Sequence, residues 1–116
     1  MGRLTTHVLD TARGVPGAGI RVALYRAEAP TRMVATAVTN ADGRCEAPLL
    51  EGEGLRAGVY ELVFHVGDYF RDAGLDLPEP GFLDVVVIRF GIAEPAAHYH
   101  VPLLVSPWGY TTYRGS

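Results

Sequence analysis

One cysteine, Cys45, is all the thiol chemistry the sequence has. A lone thiol closes no intramolecular disulfide, so a disulfide-stapled scaffold is excluded and a reducing compartment suits the chain. Basic clusters are missing too: 10 Lys/Arg and 13 Asp/Glu are mixed along the sequence, for a net charge of −3. Without a basic block nothing would displace counterions along a phosphate backbone, and nucleic acid is not expected as a partner. The longest apolar runs fall far short of the roughly 20 residues that a membrane-crossing helix needs. No apolar leader precedes the first strand-like segment and no Ser-Lys-Leu type address closes the sequence, so the expectation is a cytoplasmic protein. Internal repeats and low-complexity tracts are absent as well. What remains is expected to be one domain over residues 1–116, large enough to bury roughly two thirds of its unfolded surface.

The residues present alternate with the period of β-structure. Leu4 to Leu9 reads as a strand, with Thr5, His7 and Leu9 on one side and Leu4, Thr6 and Val8 on the other. Asp10 to Gly19 is a Gly/Pro/Ala loop. Ile20, Val22 and Leu24 form the inward side of a second strand, and Val34, Thr36 and Val38 continue the pattern in a third. Asn40-Ala41-Asp42-Gly43 has tight-turn chemistry and delivers Arg44 and Cys45 to the start of a short fourth strand. Tyr60, Leu62 and Phe64 mark the clearest half-buried strand, with Glu61 and His65 facing out. Gly67 to Gly74 has the composition of a two-turn helix stopped by glycine. After a Pro-rich loop, Leu77 to Gly81, the residues Val86, Ile88, Phe90 and Ile92 alternate inward. About eight short strands, one helix and regular turns predict a two-sheet antiparallel sandwich. Val85 to Ile88 and Leu103 to Val105 are apolar on both faces, which predicts that a further subunit covers the outer one.

The C-terminal stretch, His98 to Ser116, carries most of the chemistry. His98 and His100 alternate with Tyr99, so both imidazoles point to one face of a strand. Val101 to Val105 continues that strand, Ser106-Pro107-Trp108-Gly109 turns, and Tyr110 to Arg114 returns. Taken by itself this is a hairpin with two surface histidines. Likewise a single His7 is most often a solvated strand residue, and Arg44 after a turn a surface charge.

His98-Tyr99-His100-Val101-Pro102 followed by the closing Tyr113-Arg114-Gly115-Ser116 resembles the signature of the transthyretin-like 5-hydroxyisourate hydrolases. Leu4 to Asp10, around His7, resembles that family's N-terminal motif, and Gly43-Arg44-Cys45 with Ala47 to Leu50 its arginine segment. The likeness covers nearly the whole chain with three motifs in order. Trp108 departs from the smaller aromatic usual at that turn. The resemblance implies a transthyretin-like β-sandwich, a homotetramer built as a dimer of dimers, and ring-opening hydrolysis of 5-hydroxyisourate in urate breakdown without cofactor or metal. It also implies His7, Arg44 and His100 as catalytic residues, with Tyr113, Arg114, Gly115, Ser116 and His98 joining His7 and Arg44 around the substrate. Imidazole, with an ordinary pKa of roughly 6.5, exchanges protons near neutrality, and a guanidinium offers a planar fork of donors to carbonyls or an anion.

Three rivals are weighed. His7, His98 and His100 would make a three-histidine zinc site, but each motif is accounted for without metal. Cys45 lacks a neighbouring histidine motif to activate it. A non-catalytic transthyretin-like module binding a small ligand is the alternative function, disfavoured because transthyretin lacks these histidines, the arginine and the Tyr-Arg-Gly-Ser ending. His65 matches no functional motif and is read as a surface residue.

Overall fold

The computed structural model describes residues 1–115. Its strands in chain order are β1 (Arg3–Asp10), β2 (Val15–Pro16), β3 (Arg21–Arg26), β4 (Arg32–Val38), β5 (Leu50–Glu51), β6 (Gly58–Phe64), β7 (Val86–Ile92), β8 (His98–Ser106) and β9 (Gly109–Thr112). A short 3-10 turn spans Gly52–Gly54, and the helix α1 (Val66–Asp72) joins β6 to β7. One sheet has the order β2-β1-β8-β9, with β5 pairing the other end of β1; the second has the order β4-β3-β6-β7. The two pack face to face, and the large buried side chains between them include Leu4, Leu24, Tyr60, Phe64 and Leu103. The expected two-sheet sandwich is therefore the fold.

Alternation explains which faces meet. In β1 the inward residues Leu4, Thr6, Val8 and Asp10 are buried, while Arg3, Thr5, His7 and Leu9 lie on the outer face. Buried Thr6 donates its hydroxyl to the Val101 carbonyl at 2.6 Å, pinning β1 to β8 from within the core. β7 follows the sequence pattern, with Val86, Ile88 and Ile92 buried and Val87 exposed.

Four details differ from the expectation. β1 and β8 run parallel, whereas every other pairing is antiparallel. Parallel neighbours need a long crossover, and here the whole second sheet supplies it. In β4 the inward residues are Ala35 and Ala37, paired with Leu24 and Val22, so Thr36 and Val38 face outward. A bulge between Leu24 and Tyr25 shifts the register, and a one-residue shift inverts every side chain beyond it. The expected fourth strand shrinks to an isolated bridge between Arg44 and His7, with ladder pairing resuming only at Leu50–Glu51. The final strand stops at Thr112 instead of reaching Arg114.

The end of β1 is tied to the helix by a buried carboxylate. Asp10 is 1% exposed. Its Oδ1 accepts the backbone N–H groups of Ala12 (3.0 Å) and Arg13 (3.1 Å). Its Oδ2 accepts the Tyr69 hydroxyl at 2.7 Å and Arg13 Nε at 2.9 Å. Arg13 Nη2 in turn donates to the Tyr69 hydroxyl at 2.7 Å, closing a ring of three side chains. Tyr69 and Phe70 project from α1 into the core, so this ring fixes the helix over one end of the sandwich. Burial pushes the Asp10 carboxyl up, but the Tyr69 hydroxyl and the Arg13 donors outweigh it and hold the group below the usual carboxylate value.

A folded-state value below the unfolded one stabilises the fold above about pH 4, and that stability is lost as pH falls from there through the folded value. Asp10→Asn is therefore expected to lower stability by about 2–3 kcal/mol at pH 7. Urea midpoints for wild type and variant between pH 7 and pH 3 should converge on acidification. A difference that stays constant with pH would contradict the role given to the charge.

Candidate active site

The outer face of the first sheet brings together residues that β1 and β8 contribute from opposite ends of the sequence. Because the two strands run parallel, Arg3 pairs with His98, Thr5 with His100 and His7 with Pro102. His7 and His100 thus sit diagonally on one face, and their rings lie nearly parallel, 4.9 Å apart with a 17° interplanar angle. His7 Nδ1 and His100 Nε2 share a hydrogen bond of 2.7 Å. On its other side His100 Nδ1 is 2.8 Å from the Thr5 hydroxyl. Both nitrogens of His100 are engaged, whereas His7 Nε2 has no partner among the described residues and opens to the cavity.

Arg44 reaches the same face through the Asn40–Gly43 turn. Asn40 Oδ1 accepts the backbone N–H groups of Asp42 (2.9 Å) and Arg44 (3.2 Å), and Gly43 donates its N–H to the Asn40 carbonyl at 2.9 Å. The Val8 N–H then donates to the Gly43 carbonyl at 2.8 Å, which docks the turn onto β1 beside His7. Gly43 has φ 74°, and a Cβ there would collide with the Val8 carbonyl. Only glycine lets the turn approach closely enough to set Arg44 against the histidine.

The chain after β9 closes the other side. Gly115 donates its N–H to the His100 carbonyl at 2.6 Å. A Cβ on Gly115 would lie 2.9 Å from His100 Cδ2, so the backbone passes directly against the imidazole. The resulting cavity of about 470 Å³ is lined by His7, Arg44, His98, His100, Tyr113 and Gly115, together with Arg3 and Thr5. None of these carries a carboxylate, and two carry permanent positive charge, so the cavity suits a planar, oxygen-rich or anionic ligand.

Burial, then the Arg44 guanidinium, then His100 hold the His7 imidazole below its ordinary value; burial and Arg44 do the same for His100. Both rings are therefore neutral at pH 7 and able to accept a proton.

Six of the expected site residues converge here: His7, Arg44, His98, His100, Tyr113 and Gly115. Arg114 turns away, its guanidinium 4.1 Å over the Tyr99 ring and its Nη2 donating to the His98 carbonyl at 3.1 Å. Ser116 lies outside the described residues. His98 is exposed, and its Nε2 is 3.2 Å from the Met1 carbonyl. Among the described residues no three of His, Cys, Asp and Glu gather as ligands for a metal ion. Cys45 is half-buried and burial pushes its thiol up, away from the reactive thiolate. Trp108 is exposed at the tip of the β8–β9 hairpin, and His65 lines a shallow groove on the outer face of the second sheet. Sequence reasoning missed Arg3 and Thr5. Their signal was the alternation of β1, which places both on the face of His7.

Comparison with known proteins finds similar chains over the whole length. The HIUase/Transthyretin family model matches residues 4–115. A 5-hydroxyisourate hydrolase from Ralstonia nicotianae is 65% identical over 117 aligned residues, covering 100% of both chains. Among solved structures, the 5-hydroxyisourate hydrolase of Klebsiella pneumoniae superposes with a TM-score of 0.83 at 38% identity, covering 100% of both chains. An (S)-allantoin synthase superposes with a TM-score of 0.95 at 48% identity over 99% of this chain, which spans 44% of that longer one.

The electrostatics of the pair are directly measurable. The imidazole signals of His7 and His100 are expected to titrate below the ordinary 6.5 in an NMR pH series, and Arg44→Ala should move both upward. Midpoints above 6.5 in the wild-type protein would contradict the description of the cavity.

Proposed function

The chain belongs to the HIUase/Transthyretin family, and from that premise we propose that it hydrolyses 5-hydroxyisourate to 2-oxo-4-hydroxy-4-carboxy-5-ureidoimidazoline. The observation that carries the reading is the hydrogen-bonded pair of neutral imidazoles sharing a cavity with a guanidinium and, among the described residues, with no carboxylate. Water adds its oxygen to the ring amide carbonyl, the carbon–nitrogen bond breaks, and the departing nitrogen takes up a proton. His7 Nε2, the nitrogen open to the cavity, takes the proton from water and returns it to the leaving nitrogen. His100 acts behind it, holding the ring by the 2.7 Å bond and sharing the transient positive charge. Arg44 carries the charge that develops on the carbonyl oxygen, and among the described residues no carboxylate in the cavity competes for it. Tyr113 and the backbone at Gly115 form the wall that orients the substrate, and Ser116 belongs to the same closing motif. Residues 1–116 act as one domain, and the chemistry requires no metal.

The working enzyme is a homotetramer, a dimer of dimers. Two features support it. β7 and β9 are unpaired edge strands, available to extend each sheet into a neighbour's. Beside the polar cavity, Leu9 is 36% exposed on the outer face of β1, and Val85 and Val87 are exposed on or beside β7. Among the described residues no helix is long and apolar enough to cross a membrane, and a cytoplasmic location fits the lone Cys45.

The test follows the ultraviolet absorbance of freshly generated 5-hydroxyisourate in buffer containing EDTA. The protein should accelerate decay well beyond the spontaneous rate. Arg44→Lys, which keeps the charge and loses the fork, should lose about 10²-fold in kcat. Decay at the spontaneous rate would overturn the function, and a fully active lysine variant would show that charge alone suffices. Light scattering at micromolar concentration should return the mass of four chains, and a monomer would defeat the assembly.

A further inference from the structure

We propose that Thr5 is a positioning residue of the histidine pair: its hydroxyl oxygen accepts the Nδ1–H of His100, so that His100 Nε2 accepts the Nδ1–H of His7 and His7 Nε2 is left bare toward the cavity. The consequence for rate rests on the hydrolase reading above; the proton arrangement itself does not.

Three groups form a single line: Thr5 Oγ1 to His100 Nδ1 at 2.8 Å, then His100 Nε2 to His7 Nδ1 at 2.7 Å. A neutral imidazole has one N–H and one lone pair, so the line runs in one of two directions. In the first, Thr5 donates to His100, His100 donates to His7, and His7 presents an N–H to the cavity. In the second, His7 donates to His100, His100 donates to Thr5, and His7 presents a lone pair. Only the second gives a base at the nitrogen open to the cavity.

Two observations select it. The Arg44 guanidinium lines the same cavity, with Arg3 beyond it, and fixed positive charge favours a lone pair over an N–H on the nitrogen that faces it. Among the described residues the cavity lining holds no carboxylate to reverse that field: the other groups there are Thr5, His98, Tyr113 and Gly115, and Glu46 lines the adjoining pocket behind Thr5 and Arg44. Meanwhile the Thr5 hydroxyl has no other partner among the described residues, so its oxygen is free to accept while its own hydrogen turns to the cavity. The second direction also survives the reaction. When His7 Nε2 gains a proton, the Nδ1–H bond to His100 and the His100 bond to Thr5 keep their sense, and no group must turn over.

A hydroxyl at this position is thus a requirement of chemistry, not of packing, and an isosteric pair separates the two. In long-range 1H–15N spectra of the labelled wild-type protein at pH 7.5, His7 and His100 should both be protonated at Nδ1. Thr5→Val should move the His100 proton to Nε2 and lower kcat about 10- to 100-fold with KM little changed, a milder form of the wrong-tautomer loss known for catalytic triads. Thr5→Ser should recover most of that loss. A wild-type spectrum with His100 protonated at Nε2 would overturn the proposal whether or not the valine variant folds. So would a valine variant that keeps wild-type kcat. If the wild-type protein has the expected tautomers yet leaves 5-hydroxyisourate untouched, the hydrolase reading fails and the role of Thr5 in setting the proton arrangement stands.

Discussion

The site depends on a hydrogen bond between two imidazoles 93 residues apart in sequence. That bond exists because β1 and β8 are parallel neighbours with Thr5 opposite His100. Slipping the register by one residue would send one histidine into the core and the other to the surface, so the core-facing alternation of Leu4, Thr6 and Val8 holds the site together from behind. The Thr6 hydroxyl bond to Val101 reinforces the same register from inside the sandwich. Packing and chemistry are therefore set by opposite faces of the same two strands.

Around that pair the chain arranges what an amide hydrolysis needs, using backbone approach more than side-chain bulk. Gly43 lets the turn dock on β1, and Gly115 lets the last described residues pass against the His100 ring. Between them Arg44 and two neutral imidazoles face a cavity lined, among the described residues, by no carboxylate. Burial, and then the arginine beside them, disfavours the protonated form of both histidines, which keeps them in the basic form at neutral pH and ready to act. The buried Asp10 ring, three residues beyond His7 on the same strand, secures the far end of β1 to α1 and so steadies the strand that carries it.

Much of this was legible in the sequence, for identifiable reasons. His98-Tyr99-His100 puts two imidazoles on one face by period alone, and Asn40 to Gly43 announces its turn through residues with specific backbone chemistry. Periodicity does not say which histidines meet, since parallel pairing across the whole second sheet leaves no local mark; only the family resemblance couples His7 with His100. In β4 Val34 packs on the core as its alternation suggests, but the bulge there changes the phase, so Ala35 and Ala37 face inward and Thr36 and Val38 do not. The motif places Arg114 at the site, yet its guanidinium lies over the buried Tyr99 ring on the other side of the strand. Alternation puts Thr5 on the right face, and Arg3 lies just before the strand as read from the sequence; neither residue type announces chemistry until its neighbours are known.

The central claim is that His7 and His100 work as one unit, and a double-mutant cycle in kcat/KM tests it most directly. His7→Asn and His100→Asn, alone and together, would be assayed on 5-hydroxyisourate with thermal melts to confirm folding. A unit predicts that each single variant loses about 10²- to 10³-fold and that the double variant is no worse, within a few-fold, than the more damaged single. Losses that multiply in the double variant would show two independent histidines and contradict the account.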